Sequence, residues 1–148
     1  MSRYILVVED DHLQEGPLVE RLEAALPDCR IDSIRTEREF RERLAGLRKD
    51  RPELVIMDVM LRWDDPRPVA IEPPETVERE GFYRAGLRCA ELMTNDPRLS
   101  SVPIILYTIL EKSDLAREGR MTSGNITHLR KSTDLDTLIR KVREIADG

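Results

Sequence analysis

Short apolar runs alternate along the chain with longer stretches of helical periodicity. Continuous apolar runs at residues 4–8, 54–57 and 103–107 are typical of strands buried on both faces of a sheet, and weaker strand patterns occupy 29–34 and 126–129. Apolar side chains that recur every three or four residues predict helices between them. The predicted helices cover 13–26, 36–47, 83–95, 112–120 and 134–146, the fourth being polar and weakly patterned.

Regular alternation of strands and helices determines the expected architecture. Buried strands joined through helices predict a parallel sheet with helices on both faces and right-handed crossovers. The chain of 148 residues is the size of one domain, which we expect to cover residues 1–148. Ligands of such sheets bind beyond the carboxyl ends of the strands. The polar residues that follow each strand are therefore the candidates for function.

The alternation is interrupted by a segment rich in proline and acidic residues at about residues 62–82. It carries four of the nine prolines, and six acidic residues fall between positions 64 and 80. Strand-to-helix connections usually have about two to six residues, so this one is predicted to be an inserted loop between the third strand and the third helix. A tolerated surface excursion and a lid or partner-docking arm both remain open.

Composition excludes several classes of function. Charged residues make up 36% of the chain and the net charge is −5, which argues against nonspecific attraction to nucleic acid or anionic membranes. No apolar run approaches the length of a membrane span, and no signal peptide opens the sequence. Cys29 and Cys89 form neither a disulfide framework nor a metal motif. We expect a soluble cytoplasmic protein with reduced thiols.

Chemically suitable side chains follow four of the predicted strands. Glu9 and Asp10 follow the first strand, Asp58 the third, Thr108 the fourth and Lys131 the fifth. Carboxylates that lie close together are costly unless a cation intervenes, and Mg²⁺ binds carboxylates while leaving positions for phosphate oxygens. A lysine and a hydroxyl suit a phosphoryl group, and a carboxylate is itself a competent nucleophile. The set suggests phosphoryl transfer onto a carboxylate.

Each of these residues also has a simpler explanation. An acidic residue after a strand commonly caps the next helix, which is how Asp11 or Asp58 alone would be interpreted. A single threonine is usually a cap or turn residue, and a single lysine usually lies on the surface. The combination of acid, acid, hydroxyl and amine at four strand ends favours a functional site.

Four motifs resemble those of the receiver domain of two-component response regulators. The sequence ILVVEDD at 5–11 resembles the first-strand signature, and LVIMDVML at 54–61 resembles the strand that ends in the phosphoacceptor aspartate. Residues 104–108 and 129–131 are similar to the ends of the fourth and fifth strands. The resemblance covers the chain apart from 62–82. It implies a flavodoxin-like, doubly wound five-stranded parallel sheet of order 2-1-3-4-5, with helices on both faces.

The resemblance also implies roles for the residues at the strand ends. Asp58 would be the phosphoacceptor, taking a phosphoryl group from a sensor histidine kinase or a histidine phosphotransfer protein. Glu9, Asp10 and Asp58 would hold Mg²⁺ together with the backbone carbonyl of Met60. Such a domain carries out self-phosphotransfer and self-dephosphorylation and is not a turnover enzyme.

The remaining matched positions concern the transferred group and the output. Lys131 would contact a phosphoryl oxygen, and Thr108 would move toward Asp58 and hydrogen-bond to the group after transfer. Ile109 is bulkier than the residue usual at its position, so we expect it to restrict access and lengthen the lifetime of the phosphoryl group.

Two further positions depart from the family pattern. His128 stands where an aromatic residue usually swings inward on activation; an imidazole that does the same and a half-buried histidine with a satisfied partner are both open. Ser132 replaces a proline that usually follows a cis bond, and whether the bond here is cis or trans is also open.

The expected partners follow from the same resemblance. Beside the kinase or phosphotransfer protein they include a downstream protein target reached through a conformational switch. A homodimer through predicted helix 4 (112–120), strand 5 (126–129) and helix 5 (134–146) is a further candidate. No direct contact with nucleic acid or membrane is expected. No output domain follows within the chain, so we expect a stand-alone regulator or a piece of a larger one.

Three rival functions compete with this interpretation. A haloacid-dehalogenase-like phosphatase needs a second aspartate two residues after its nucleophile, where this chain has Met60. A flavodoxin-like flavin binder needs a Ser/Thr/Gly-rich phosphate loop at residues 9–11, which are all acidic. The alternative that stays open is a degenerate receiver that acts as a phosphorylation-independent interaction module, favoured by His128, Ser132 and the insertion.

Overall fold

Five parallel strands form one sheet in the order β2-β1-β3-β4-β5. The computed structural model describes residues 3–110, 125–131 and 134–147; the predicted helix at 112–120 and the bond at Ser132 lie outside these residues. The strands are β1 (Tyr4–Val8), β2 (Arg30–Ile34), β3 (Leu54–Met57), β4 (Ile104–Thr108) and β5 (Ile126–Arg130). The predicted fold class and strand order are confirmed.

Helices cover both faces of this sheet. In the described part of the chain they are α1 (His12–Ala25), α2 (Glu37–Lys49), α3 (Glu75–Glu80), α4 (Ala85–Thr94) and α5 (Leu135–Asp147). Helices α1 and α5 pack on one face, and α2 and α4 pack on the other. The central strands are therefore buried on both sides, which is why β1 and β3 read as continuous apolar runs.

Successive residues of β1 alternate between two hydrophobic clusters. Ile5 packs with Leu22 of α1 and Val142 of α5, whereas Leu6 packs in the cluster that contains Phe40 of α2. Successive side chains of a strand point to opposite faces, so each strand joins two cores. Full burial of each such side chain contributes about 1.5–3 kcal/mol, and these two cores hold the strand ends in fixed positions.

Helix α1 begins within one residue of its predicted start at residue 13, although Pro17 lies inside it. Proline lacks an N–H and is tolerated best in the first turn of a helix. The helix starts at His12 because Asp11 is its N-cap and accepts the N–H of Leu13 at 2.9 Å. Capping stabilises this start, and Pro17 costs the helix one internal hydrogen bond. The predicted capping role of Asp11 is confirmed.

The segment at 62–82 contains regular structure that its composition did not predict. A six-residue helix, α3, buries only Val77, and a 3-10 turn at Phe82–Arg84 leads into α4. Gly81 ends α3 with a positive φ of 81°, which favours glycine. The segment predicted as an inserted loop therefore includes a short helix, while its assignment as an insertion and its boundaries stay a prediction. Residues 62–82 are called the insertion below.

Two further expectations concern membranes and thiols. Among the described residues, no helix has both the length and the apolar character that crossing a bilayer requires. Cys29 and Cys89 are free and buried. Burial raises the pKa of the Cys89 thiol far above its usual range, which leaves this thiol protonated and unreactive.

Candidate functional site

Three carboxylates meet where β1 and β3 end. The two strands pair with Val8 opposite Met57, and the N–H of Asp58 donates to the carbonyl oxygen of Val8 at 2.9 Å. One oxygen from each of Glu9, Asp10 and Asp58 lies within 4.8 Å of the others. These residues are called the acid cluster below. Glu9 and Asp58 are only 4% and 8% exposed, and Asp10 is half-buried.

Lys131 bridges two members of the acid cluster from the end of β5. Its Nζ lies 2.5 Å from Glu9 Oε1 and 3.0 Å from Asp58 Oδ2. The N–H of Lys131 donates to the carbonyl oxygen of Thr108 at 2.7 Å, which ties the ends of β5 and β4 together. Thr108 is fully buried. The structure thus brings together the side chains of Glu9, Asp10, Asp58 and Lys131, and it joins Thr108 to Lys131 through the backbone.

The charges of this group do not balance. Burial raises the pKa of Glu9 to about 8, and the neighbouring carboxylate of Asp58 adds to the rise. Burial disfavours the charged form of Lys131, but Asp58 and Glu9 outweigh it and hold the Lys131 pKa above its usual value. One ammonium faces three carboxylates, so the arrangement favours the binding of a further cation.

The donor set fits Mg²⁺. The acid cluster offers only oxygen atoms and combines buried with partly exposed carboxylates, which suits a hard ion that keeps some of its waters. Asp58 Oδ1 accepts the N–H of Met60 at 3.4 Å, so the chain turns tightly around the carboxylate. The half-buried Met60 therefore lies beside the cluster, while the binding of a metal ion by its carbonyl stays a prediction.

Gln14 was missed by the sequence analysis. Its Oε1 accepts a hydrogen bond from Lys131 Nζ at 2.6 Å, and its Nε2 donates to Asp11 Oδ2 at 3.1 Å. Lys131 therefore has a neutral partner beside its two carboxylates. The available signal was the position of Gln14 in the first turn of α1, three residues after the cap. A cavity of about 320 Å³ opens here, with Ile109 in its lining.

Arg62 was missed as well. Its backbone N–H donates to Asp10 Oδ2 at 3.0 Å, and its Nη2 donates to the backbone carbonyl oxygen of Asp10 at 3.3 Å. The guanidinium Nε lies 3.7 Å from Asp10 Oδ2. The first residue of the insertion thus contacts the acid cluster directly.

His128 lies in β5 and is half-buried. Its Nε2 is 2.9 Å from the carbonyl oxygen of Leu110, so the imidazole has a partner. The N–H of the same Leu110 donates to Thr108 Oγ1 at 3.3 Å. Thr108 and His128 therefore meet at one residue of the loop after β4, although a switching role for either stays a prediction.

Helix α4 approaches the backbone of Asp58 unusually closely. The N–H of Gly86 donates to the carbonyl oxygen of Val59 at 2.8 Å. A Cβ atom at position 86 would lie 2.0 Å from the carbonyl oxygen of Asp58, well inside van der Waals contact. Only glycine allows the helix to lie this close to the acid cluster.

Comparison with known proteins gives a consistent picture of the fold. No protein-family model matches the chain, and no curated protein matches it in sequence. Among solved structures it is similar to the signal receiver domain of a DNA-binding response regulator from Colwellia psychrerythraea, with 17% identity, 99% of both chains covered and a TM-score of 0.70.

Two further solved structures share this similarity. The receiver domain of a signal transduction histidine kinase from Syntrophus aciditrophicus is 24% identical, with 99% of this chain and 91% of that chain covered and a TM-score of 0.65. The receiver domain of a sensor histidine kinase from Pseudomonas aeruginosa is 19% identical over 100% of both chains, with a TM-score of 0.64. That domain carries a magnesium ion coordinated in its active-site cleft.

Proposed function

The chain has the fold of response regulator receiver domains, and we propose that it works as a phosphoacceptor in two-component signalling. In this proposal Asp58 takes a phosphoryl group from a histidine kinase or a histidine phosphotransfer protein. One observation carries the proposal: the acid cluster, Lys131 and Thr108 converge at the ends of four strands.

The residues supply a path for the transfer. A carboxylate oxygen of Asp58 attacks phosphorus; the new O–P bond forms as the P–N bond of phosphohistidine breaks, and the imidazole leaves with the bonding electrons. Lys131, with its Nζ 3.0 Å from Asp58 Oδ2, offsets the negative charge that gathers there. Glu9 and Gln14 hold the ammonium in this position.

The proposed reaction depends on Mg²⁺. Glu9, Asp10 and Asp58 would hold the ion together with the carbonyl of Met60. When bound, Mg²⁺ offsets the negative charge of the phosphoryl oxygens. The fit of the donor set supports this assignment, and so does the magnesium ion of the Pseudomonas aeruginosa domain.

The output of the proposed domain is a shift between two populations. The hydroxyl of Thr108 would exchange its bond with the Leu110 N–H for one with the phosphoryl group. Because His128 contacts the carbonyl of the same Leu110, this exchange would reach β5 through one loop residue. A downstream protein target, or a second copy of the chain, would detect the change at the surface around predicted helix 4, β5 and α5. We place this signalling in the cytoplasm.

Intact-mass spectrometry after incubation with acetyl phosphate tests the proposal. We expect a gain of one phosphoryl group that requires Mg²⁺ and disappears completely in Asp58→Asn. Asp11→Asn is the matched control, because it removes a neighbouring carboxylate while asparagine still caps α1. Failure of the wild-type protein to take up the group would favour the alternative, a phosphorylation-independent interaction module.

A further inference from the structure

We propose that Arg62, the first residue of the insertion, lowers the affinity of the acid cluster for divalent cations by engaging Asp10. This inference rests on the proposed function, because it concerns the regulation of the same site. It assigns to the insertion a direct effect on the metal step.

The contacts between Arg62 and Asp10 involve both main chain and side chain. The Arg62 N–H takes up one lone pair of Asp10 Oδ2, and the guanidinium spans that carboxylate and the Asp10 carbonyl oxygen. Asp10 is the most exposed member of the acid cluster, so a cation from solvent reaches it most readily. Arg62, whose Nη1 also lies 3.5 Å from Asp65 Oδ1, therefore places a positive charge on the accessible side of the site.

The start of α2 determines where Arg62 lies. The N–H of Glu37 donates to the carbonyl oxygen of Arg62 at 3.0 Å, and the N–H of Arg38 donates to that of Trp63 at 2.9 Å. The first N–H groups of a helix have no partner within the helix, so these two donors are available to bind the passing chain. The backbone of residues 62 and 63 is thereby attached to the end of α2.

The far end of the insertion returns to the same helix. Arg88 of α4 forms two hydrogen bonds with the Glu37 carboxylate, at 2.7 and 2.9 Å, and a third at 3.2 Å with Glu80, the last residue of α3. Both ends of the insertion thus converge on Glu37. Arg62 remains against Asp10 for as long as these attachments hold.

The charge of Arg62 should weaken the binding of a divalent cation to the acid cluster. A guanidinium repels a divalent cation that approaches the same carboxylate, so removing its charge should strengthen binding. At separations of a few ångströms near a protein surface this effect amounts to about threefold to tenfold in the dissociation constant. Screening reduces interactions between exposed charges, so the effect should shrink as salt is added.

Isothermal titration calorimetry with Mg²⁺ alone tests the inference, without any phosphoryl donor. We expect Arg62→Gln to bind Mg²⁺ about threefold to tenfold more tightly than the wild-type protein at low salt, with a smaller difference at high salt. Arg62→Lys should stay close to the wild-type affinity because it keeps the charge. Arg67→Gln is the matched control: it removes the same charge from the insertion, but its partner is Asp64.

The outcomes separate this inference from the proposed function. If the wild-type protein binds Mg²⁺ and Arg62→Gln binds it equally or more weakly, the inference is overturned while the metal site stands. An equal gain in Arg67→Gln would also overturn it, since net charge alone would then explain the result. If neither the wild-type protein nor Arg62→Gln binds Mg²⁺, the inference and the proposed metal dependence both fail. Binding by Arg62→Gln alone would support the inference.

Discussion

Two groups of buried charges in this molecule are built differently. The acid cluster sets three acidic side chains against the Lys131 ammonium and, at Asp10, the Arg62 guanidinium; burial and the neighbouring Asp58 raise the pKa of Glu9 to about 8. The second group, called the Glu37 network here, joins Glu37, Arg41, Glu80 and Arg88. Its two carboxylates face two guanidinium groups, so its charges cancel.

The Glu37 network has a fully enclosed ion pair at its centre. Glu37 is fully buried and Arg88 is 4% exposed, with the half-buried Arg41 and Glu80 at the edge, whereas the acid cluster keeps Asp10, one of its three carboxylates, half-buried beside solvent. Breaking a buried ion pair by removing one partner costs much of the free energy of unfolding, and the pairs of this network hold α2, α3 and α4 together. A group with excess negative charge that solvent can reach is able to bind a cation. The comparison distinguishes ion pairs that stabilise the fold from acidic residues that are placed to bind a ligand.

Breaking the Glu37 network should give the largest change in stability. We expect Arg88→Met to lower the free energy of unfolding by about 3 kcal/mol, because Glu37 would keep only its bond with Arg41 while remaining buried. Urea denaturation measures this loss. Arg79→Met, which removes an exposed pair with Glu75, should cost less than about 0.5 kcal/mol. Losses of equal size in the two variants would contradict the proposed role of the network.

Removing a carboxylate from the acid cluster should raise the free energy of unfolding instead of lowering it. The pKa of Glu9 is higher in the folded protein than its usual 4.5, so its charged form destabilises the fold. That penalty is absent below about pH 4.5 and grows until about pH 8. Without Mg²⁺, we expect Glu9→Gln to match the wild-type stability at pH 5 and to exceed it by about 1–2 kcal/mol at pH 8.

Urea denaturation at both pH values provides the measurement for Glu9→Gln. Glu20→Gln, at an exposed position of α1, is the control and should differ from the wild-type protein equally at pH 5 and pH 8. A Glu9→Gln advantage that does not grow with pH would mean that the acid cluster is already balanced.

The smallest expected effect is that of Ile109, at the solvent-facing side of the site, on the lifetime of the phosphoryl group. Ile109 is 57% exposed and lines the cavity beside Lys131. We expect Ile109→Ala to lose the phosphoryl group about threefold faster, equivalent to about 0.7 kcal/mol in the barrier, because water reaches Asp58 more easily. Repeated intact-mass measurements after removal of acetyl phosphate give the half-life. Val69→Ala, at an exposed position of the insertion, should leave it unchanged, and an unchanged half-life in Ile109→Ala would show that access does not limit the reaction.

The amino-acid sequence contained enough information to predict the sheet and the meeting of the strand ends. Buried parallel strands leave continuous apolar runs, and their carboxyl ends share one edge of the sheet, so the pattern alone predicts that Glu9, Asp58 and Lys131 lie together. Local capping was also predictable, as Asp11 demonstrates. These features depend on neighbours in sequence or on a repeated pattern.

The contacts of the insertion were not predictable, because they join residues that lie far apart in the sequence. Glu37 and Arg88 are 51 positions apart, and no periodicity indicates that pair. Helix α3 buries one apolar residue, so it has no amphipathic pattern and depends on tertiary contacts such as the one between Glu80 and Arg88. A partial signal existed in α4, where Arg88 lies between Leu87 and Cys89, which are both buried.

The close approach of Gly86 to Asp58 bears on how this sequence can change in evolution. Gly16 and Gly46 have open space where a side chain would begin, so both positions can acquire one. Position 86 cannot gain even a methyl group unless the backbone that carries Asp58 moves. Every descendant of this sequence must therefore keep glycine at the second position of α4, whatever side chains the other two glycine positions acquire.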